Sequence, residues 1–129
     1  MRVEVGYGNG TQSVEIPEKN ILKTLRANEV EVTLRGEDAV REALAHPIGT
    51  PRLSEIVRPG EKIVIITSDI SRPMPTWDVM PALLDELYGI GVQAEDLTLV
   101  FALGSHRKQT PEEQKRLAGD RAWREWISS

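Results

Sequence analysis

Apolar and polar residues alternate from the first residues of the chain. Val3, Val5 and Tyr7 alternate with Arg2, Glu4 and Gly6, and Val14 and Ile16 alternate with Ser13 and Glu15. A period of two is the pattern of a strand. Gly8-Asn9-Gly10 lies between the runs, and these residue types tolerate the positive φ of a tight turn, so the segment predicts a β-hairpin. Residues 30–34 predict a further strand of the same small sheet. The period then lengthens. Val40, Ala43 and Leu44 fall on one face of a helix over residues 38–45, which His46-Pro47 ends, because proline disfavours helical geometry in the residue before it. Thr50-Pro51 predicts the start of a second short helix, capped by the threonine, with Leu53, Ile56 and Val57 as its apolar side.

Beyond residue 60 the pattern changes again. Residues 62–68 are almost uniformly apolar, which predicts a strand buried on both faces. Met80, Leu83, Leu84 and Leu87 mark a helical stripe, with Thr76 as its expected cap and Gly89-Ile90-Gly91 as its left-handed stop. Residues 97–103 form a second apolar run. Strand, helix and strand make a βαβ unit, whose crossover is almost always right-handed and whose strands are therefore parallel. Thr110-Pro111-Glu112-Glu113 is a capping box opening another helix, closed by Leu117 and Gly119. The expected fold class is α/β: a Rossmann-like βαβ unit over residues 49–119, preceded by a small β-rich part over residues 1–48. An atypical tail follows over residues 120–129, in which Trp123, Trp126 and Ile127 would share one helical face. That face either packs on the sheet or meets a partner chain.

Composition narrows the function. The chain has 129 residues, enough for one domain, with 40% hydrophobic and 28% charged residues. Its net charge is −4 and no lysine or arginine block stands out, so nucleic acid is not an expected partner. There is no cysteine, which excludes disulfides and thiolate metal sites and favours a reducing, cytoplasmic location. The N-terminal pattern is that of a strand and not of a signal peptide, and no apolar run approaches the length of a membrane span. Gly6-x-Gly8-x-Gly10 joins two strands instead of opening a helix and is a poor dinucleotide fingerprint. His46 precedes a proline at a helix end and has no second ligand at metal spacing.

The candidate chemistry lies after the two apolar strands. Ser68-Asp69-Ile70-Ser71-Arg72-Pro73-Met74-Pro75 follows the first, and Gly104-Ser105-His106-Arg107 follows the second. Parallel strands deliver both loops to one sheet edge, where ligands of open α/β sheets bind. His106 can carry a proton near neutral pH, or it can be a loop histidine bonded to a backbone carbonyl. Arg72 offers a planar fork of donors to a carboxylate or phosphate, or it forms a surface ion pair. Asp69 can orient His106, pair with Arg72, or bond the backbone of its own turn. Ser71, Ser105 and Arg107 are secondary candidates in the same loops.

These segments resemble nickel-dependent lactate racemases and their relatives. Asp69-Ile70-Ser71-Arg72-Pro73-Met74-Pro75 is similar to that family's Asp-x-Thr-Arg-Pro-x-Pro segment. Leu103-Gly104-Ser105-His106-Arg107 is similar to its Gly-Thr-His-Arg segment, Thr110-Pro111-Glu112-Glu113 to its Thr-x-Glu-Glu continuation, and Ala43-Leu44-Ala45-His46-Pro47-Ile48-Gly49 to its Ala-Leu-x-x-Pro-Ile-Gly stretch. The resemblance spans most of residues 1 to about 119, and four spaced motifs agree in order. It implies a racemase or epimerase of 2-hydroxyacids, in which a nickel pincer nucleotide takes a hydride from C2 of the substrate. By this resemblance His106 is one of two acid/base histidines, Arg72 holds the substrate carboxylate, and Asp69 supports them. Ser71 and Ser105 stand in place of threonines, His46 in place of asparagine, and Lys108 in place of a common proline. The family is several times longer, and its cofactor lysine, nickel-ligand histidine and second acid/base histidine have no counterpart here. The chain is therefore expected to be a single N-terminal domain fragment, to hold no metal, to retain no cofactor and to be inactive alone. Two further readings stay open: a carboxylate- or phosphate-binding module without chemistry, and an oligomerisation fragment using an exposed sheet edge or the C-terminal tryptophans.

Overall fold

A computed structural model describes the backbone of residues 1–127 and the side chains of residues 1–125. The chain divides into two compact units, Met1–Glu31 and Val32–Ser129. The first is the predicted hairpin. Strand β1 (Arg2–Tyr7) pairs antiparallel with β2 (Gly10–Glu15), from Arg2 opposite Glu15 to Tyr7 opposite Gly10. Gly8 supplies the positive φ of the turn, at 57°. The ladder extends one step further, since the N-terminal amine donates to the Ile16 carbonyl at 2.8 Å and the Ile16 amide donates to Met1 at 2.9 Å.

The third strand expected over residues 30–34 does not form. Residues 21–35 carry no helix or strand, and Val30, Val32 and Leu34 are 78%, 51% and 45% exposed. Alternation makes a strand only when a sheet edge receives its backbone groups, and none does here.

The second unit holds helices α1 (Gly36–Ala45) and α2 (Leu53–Ile56), strand β3 (Ile63–Ser68), helix α3 (Thr76–Ile90), strand β4 (Leu97–Ala102) and helix α4 (Pro111–Ala118). A short turn, α5 (Asp120–Ala122), leads into one wide turn of π-helix, Trp123–Ile127. The side chains of Trp126 and Ile127, two thirds of the expected apolar face of the tail, lie outside the described residues. Helix α1, grouped with the hairpin in the sequence reading, belongs to this second unit. Arg41 in α1 binds Asp85 in α3 at 2.6 Å, and Asp85 also accepts from Arg121 at 2.7 Å.

Strands β3 and β4 are parallel and in register, from Ile63 opposite Leu97 to Ser68 opposite Ala102. Helix α3 lies between them in sequence and buries Met80, Leu84 and Leu87 of the predicted stripe, with Leu83 half-buried against them. One cluster joins Leu84, Leu87, Val92 and Leu97 to Ile63 and Ile65; a second joins Met80, Ala118 and Ala122 to Ile65, Leu99 and Phe101. Helix α3 stops at Gly91, with φ 104°, and a Cβ there would sit 3.2 Å from the Pro59 ring, so conformation and space both require glycine.

Three local expectations need correction. Strand β3 is not buried on both faces: Val64 and Ile66 are 58% and 69% exposed. Ile63, Ile65 and Thr67 point to the helices and alternate residues point away, because the packed helices cover a single face. Thr76 does not cap α3. It is buried at the first turn, where its hydroxyl bonds that of Thr67 across to β3. Thr50 does not cap α2 either; its hydroxyl donates to the Pro51 carbonyl at 2.7 Å, and the Arg52 amide is taken by Glu55 at 3.1 Å. The capping box of α4 forms as predicted, with Thr110 and Glu113 each accepting the other's amide hydrogen. No helix among the described residues is long and apolar enough to cross a membrane.

The Thr67–Thr76 pair is testable by a double-mutant cycle. Thr76→Val leaves a buried Thr67 hydroxyl without its partner and should cost about 1–3 kcal/mol in urea unfolding. Replacing both threonines by valine should recover most of that loss, since no buried hydroxyl is then stranded.

Candidate functional site

Because Ser68 and Ala102 end their strands side by side, the loops after β3 and β4 leave from the same sheet edge. Asp69 is the first residue of its loop and is only 6% exposed. Its Oδ1 accepts from the Ser71 amide at 3.1 Å and from the Ser71 hydroxyl at 2.7 Å, so the local turn expected of an aspartate is present. Its Oδ2 is bound to Nδ1 of His106, which comes from the second loop. Ser71 Oγ also lies 3.3 Å from Nδ1. Of the three roles open to Asp69, turn formation and contact with the imidazole are carried by its two oxygens, and no pairing with Arg72 is present among the described residues.

The hydrogen bonds from Ser71, and after them the one from His106, favour the charged carboxylate and hold Asp69 down to about 2. An ionised Asp69 makes Nδ1 of His106 the donor, which leaves Nε2 of the neutral ring with the lone pair. The imidazole is the more exposed partner, with 56% of its side chain accessible. The pair is therefore a buried anion fixing the tautomer of an open ring.

Arg72 stands in the same loop, three residues beyond Asp69, and lines an open cleft of about 420 Å³ with Ser68, Asp69, Ser71, Ser105 and His106. Among the described residues it has no ion pair and no side-chain hydrogen bond. The loop that carries it is pinned by Ser68, whose hydroxyl accepts from the Met74 amide at 2.8 Å. Pro73 and Pro75 add stiffness. Ser105 lines the cleft and is exposed. Arg107 is differently placed. Its guanidinium makes a two-pronged bond to Glu113, 2.8 Å on each arm, and so ties the second loop to the start of α4. With Thr110 it holds the Glu113 carboxyl at about 2 as well. His46, the other histidine, lies with Nδ1 3.0 Å from the Glu42 carboxylate of the preceding helix.

A second, smaller cleft of about 300 Å³ is lined by Asp69, Ile70, Ser71, His106, Arg107 and Gln109. Sequence reasoning missed Gln109. It is 5% exposed, and neither atom of its amide has a hydrogen-bond partner among the described residues. A glutamine between lysine and threonine in a loop carries no signal of burial.

Among the described residues no three His, Cys, Asp or Glu side chains gather where they could hold a metal ion. The described residues therefore do not fit a nickel site. What the arrangement offers is a proton-carrying imidazole backed by a carboxylate, beside an open guanidinium.

Fold and site together define an α/β domain with an open cleft at the end of a parallel strand pair, lined by a histidine–aspartate pair and an arginine. Residues 7–126 match the family model described as the lactate racemase N-terminal domain. The chain is 37% identical over 120 residues to the lactate racemase of Thermoanaerobacterium thermosaccharolyticum, covering 92% of this chain and 28% of that protein. It is 32% identical over 113 residues to that of Lactiplantibacillus plantarum, covering 86% and 26%. The solved structure of the lactate racemase apoprotein from T. thermosaccharolyticum superposes with a TM-score of 0.75 at 34% identity, over 98% of this chain and 29% of that one. The chain belongs to the lactate racemase N-terminal domain family, and it spans between a quarter and a third of the length of these relatives.

The Asp69 pair makes a prediction about acid. Its folded value of about 2 lies below the ordinary 3.8, so the ionised form stabilises the fold above about pH 4, and that contribution disappears as pH falls through about 2. Asp69→Asn should be less stable than the wild type at pH 7, with the gap closing by about pH 2; urea midpoints across that window measure it. A gap independent of pH would show that the carboxylate charge is not what stabilises the loops.

Proposed function

We propose that this chain is the N-terminal part of a 2-hydroxyacid racemase or epimerase, contributing the proton-transfer and carboxylate-binding side of the site. The observation that carries the reading is the convergence of His106 on Asp69 in the cleft that Arg72 lines. The guanidinium binds the substrate carboxylate through paired N–H donors. That contact places the C2 hydroxyl at the imidazole, where Nε2 takes its proton. The Asp69 carboxylate stabilises the imidazolium so formed, and the same nitrogen returns the proton when the planar keto acid is reduced again. Conversion of the alcohol to the keto acid also releases hydride from C2. The described residues offer no acceptor for it, so the 129-residue chain alone performs only the binding and proton-handling half.

A non-enzymatic carboxylate- or phosphate-binding module is the second reading, favoured by the open Arg72 beside that missing acceptor. The two readings differ in what His106 does. In the first, lactate binds in preference to phosphate and both Arg72→Ala and His106→Ala weaken it. In the second, Arg72→Ala abolishes binding while His106→Ala is harmless. Loss of a charge-assisted pair of hydrogen bonds at Arg72 should weaken lactate binding at least about tenfold, as calorimetric titration would measure. The purified chain, supplied with nickel and the pincer nucleotide, should not interconvert D- and L-lactate in a chiral assay. Turnover would overturn the assignment of the hydride step to residues outside it.

A further inference from the structure

Gln109 is a feature of the site that the proposed reaction leaves unused. An amide side chain has two donors and an acceptor, and burying them without partners destabilises a fold. Leucine or methionine would fill the same space at no such cost. Gln109 is nevertheless 5% exposed with both amide atoms unpartnered, and it lines the smaller cleft beside His106. That cleft shares Asp69, Ser71 and His106 with the one that holds Arg72. The two clefts therefore adjoin at the imidazole. The charged walls of the smaller cleft are already committed: Asp69 is bound by Ser71 and His106, and Arg107 is held on both arms by Glu113. An ionised Asp69 repels a second carboxylate, and no cation is left in this cleft to receive one. The group that fits is neutral and can both donate and accept.

We propose that the cleft lined by Gln109 is a subsite for a hydroxyl- or amide-bearing substituent on C2 of the bound hydroxyacid, with the Gln109 amide as its hydrogen-bond partner. The proposal rests on the reading that Arg72 holds the carboxylate and His106 the hydroxyl. It narrows the substrate class to 2-hydroxyacids with a neutral polar group at C3 and disfavours a methyl group or a second acid there.

The probes are lactate, glycerate and malate, which place a methyl, a hydroxymethyl and a carboxymethyl group at the same position. Each is titrated into the 129-residue chain by calorimetry or by amide chemical shifts. Glycerate should bind about two- to tenfold more tightly than lactate, the effect of one added hydrogen bond, and malate more weakly than glycerate. In Gln109→Leu and Gln109→Met the advantage of glycerate over lactate should vanish, while the thermal midpoint stays equal or rises because a stranded amide has gone. Two substitutions of different shape keep the comparison intact if one of them packs badly. An equal affinity of the wild type for glycerate and lactate overturns the proposal, as does a glycerate advantage that survives both substitutions, or malate as the best ligand. In those cases loss of lactate binding in Arg72→Ala leaves the carboxylate reading standing. If no hydroxyacid binds the wild-type chain, both fall together.

Discussion

The parallel pairing of β3 with β4 is the constraint on which the site depends. Asp69 and His106 are 37 positions apart, yet each is reached within four residues of its strand's end, and the register sets Ser68 opposite Ala102. Antiparallel strands would have sent the two loops to opposite rims. Only a crossover element permits the parallel arrangement, and α3 provides it by burying Met80, Leu84 and Leu87 over the inward residues of both strands. The packing of an apolar stripe thus fixes where a carboxylate meets an imidazole.

Within the site, electrostatics follows from who holds whom. Asp69 is almost fully withdrawn from water, but hydrogen bonds from Ser71 and His106 outweigh the cost of withdrawing it. Arg107 and Glu113 satisfy one another and brace the second loop against α4. Among the described residues Arg72 is left without a partner, three residues from a buried anion to which it is not bound. Each of the two loops carries an arginine, and the structure separates them into a brace and an open cation.

Much of this was legible in the chain. The hairpin, the stripe of α3, the stop at Gly91 and the capping box at Thr110 each rest on local chemistry that tertiary context did not override, and the convergence of Asp69 with His106 followed from the strand–helix–strand order. What was not legible depends on neighbours. The apolar alternation over residues 30–34 lacks a sheet edge to join. The run Ile63-Val64-Ile65-Ile66 has the composition of a strand covered twice, while only one face is covered here, leaving Val64 and Ile66 in the open. Thr76 carries the residue type of a cap, but a hydroxyl on β3 lies close enough to claim it. Gln109 carries no mark at all, since burial of a loop amide is decided by what folds around it.

The bond from the Met74 amide to the Ser68 hydroxyl returns the arginine loop to the last residue of the strand it left. Backbone freedom is spent during folding, and the guanidinium keeps only its own side-chain torsions. On the proposed reading its reach then becomes a ruler, set by how far an anion's oxygens stand from the imidazole.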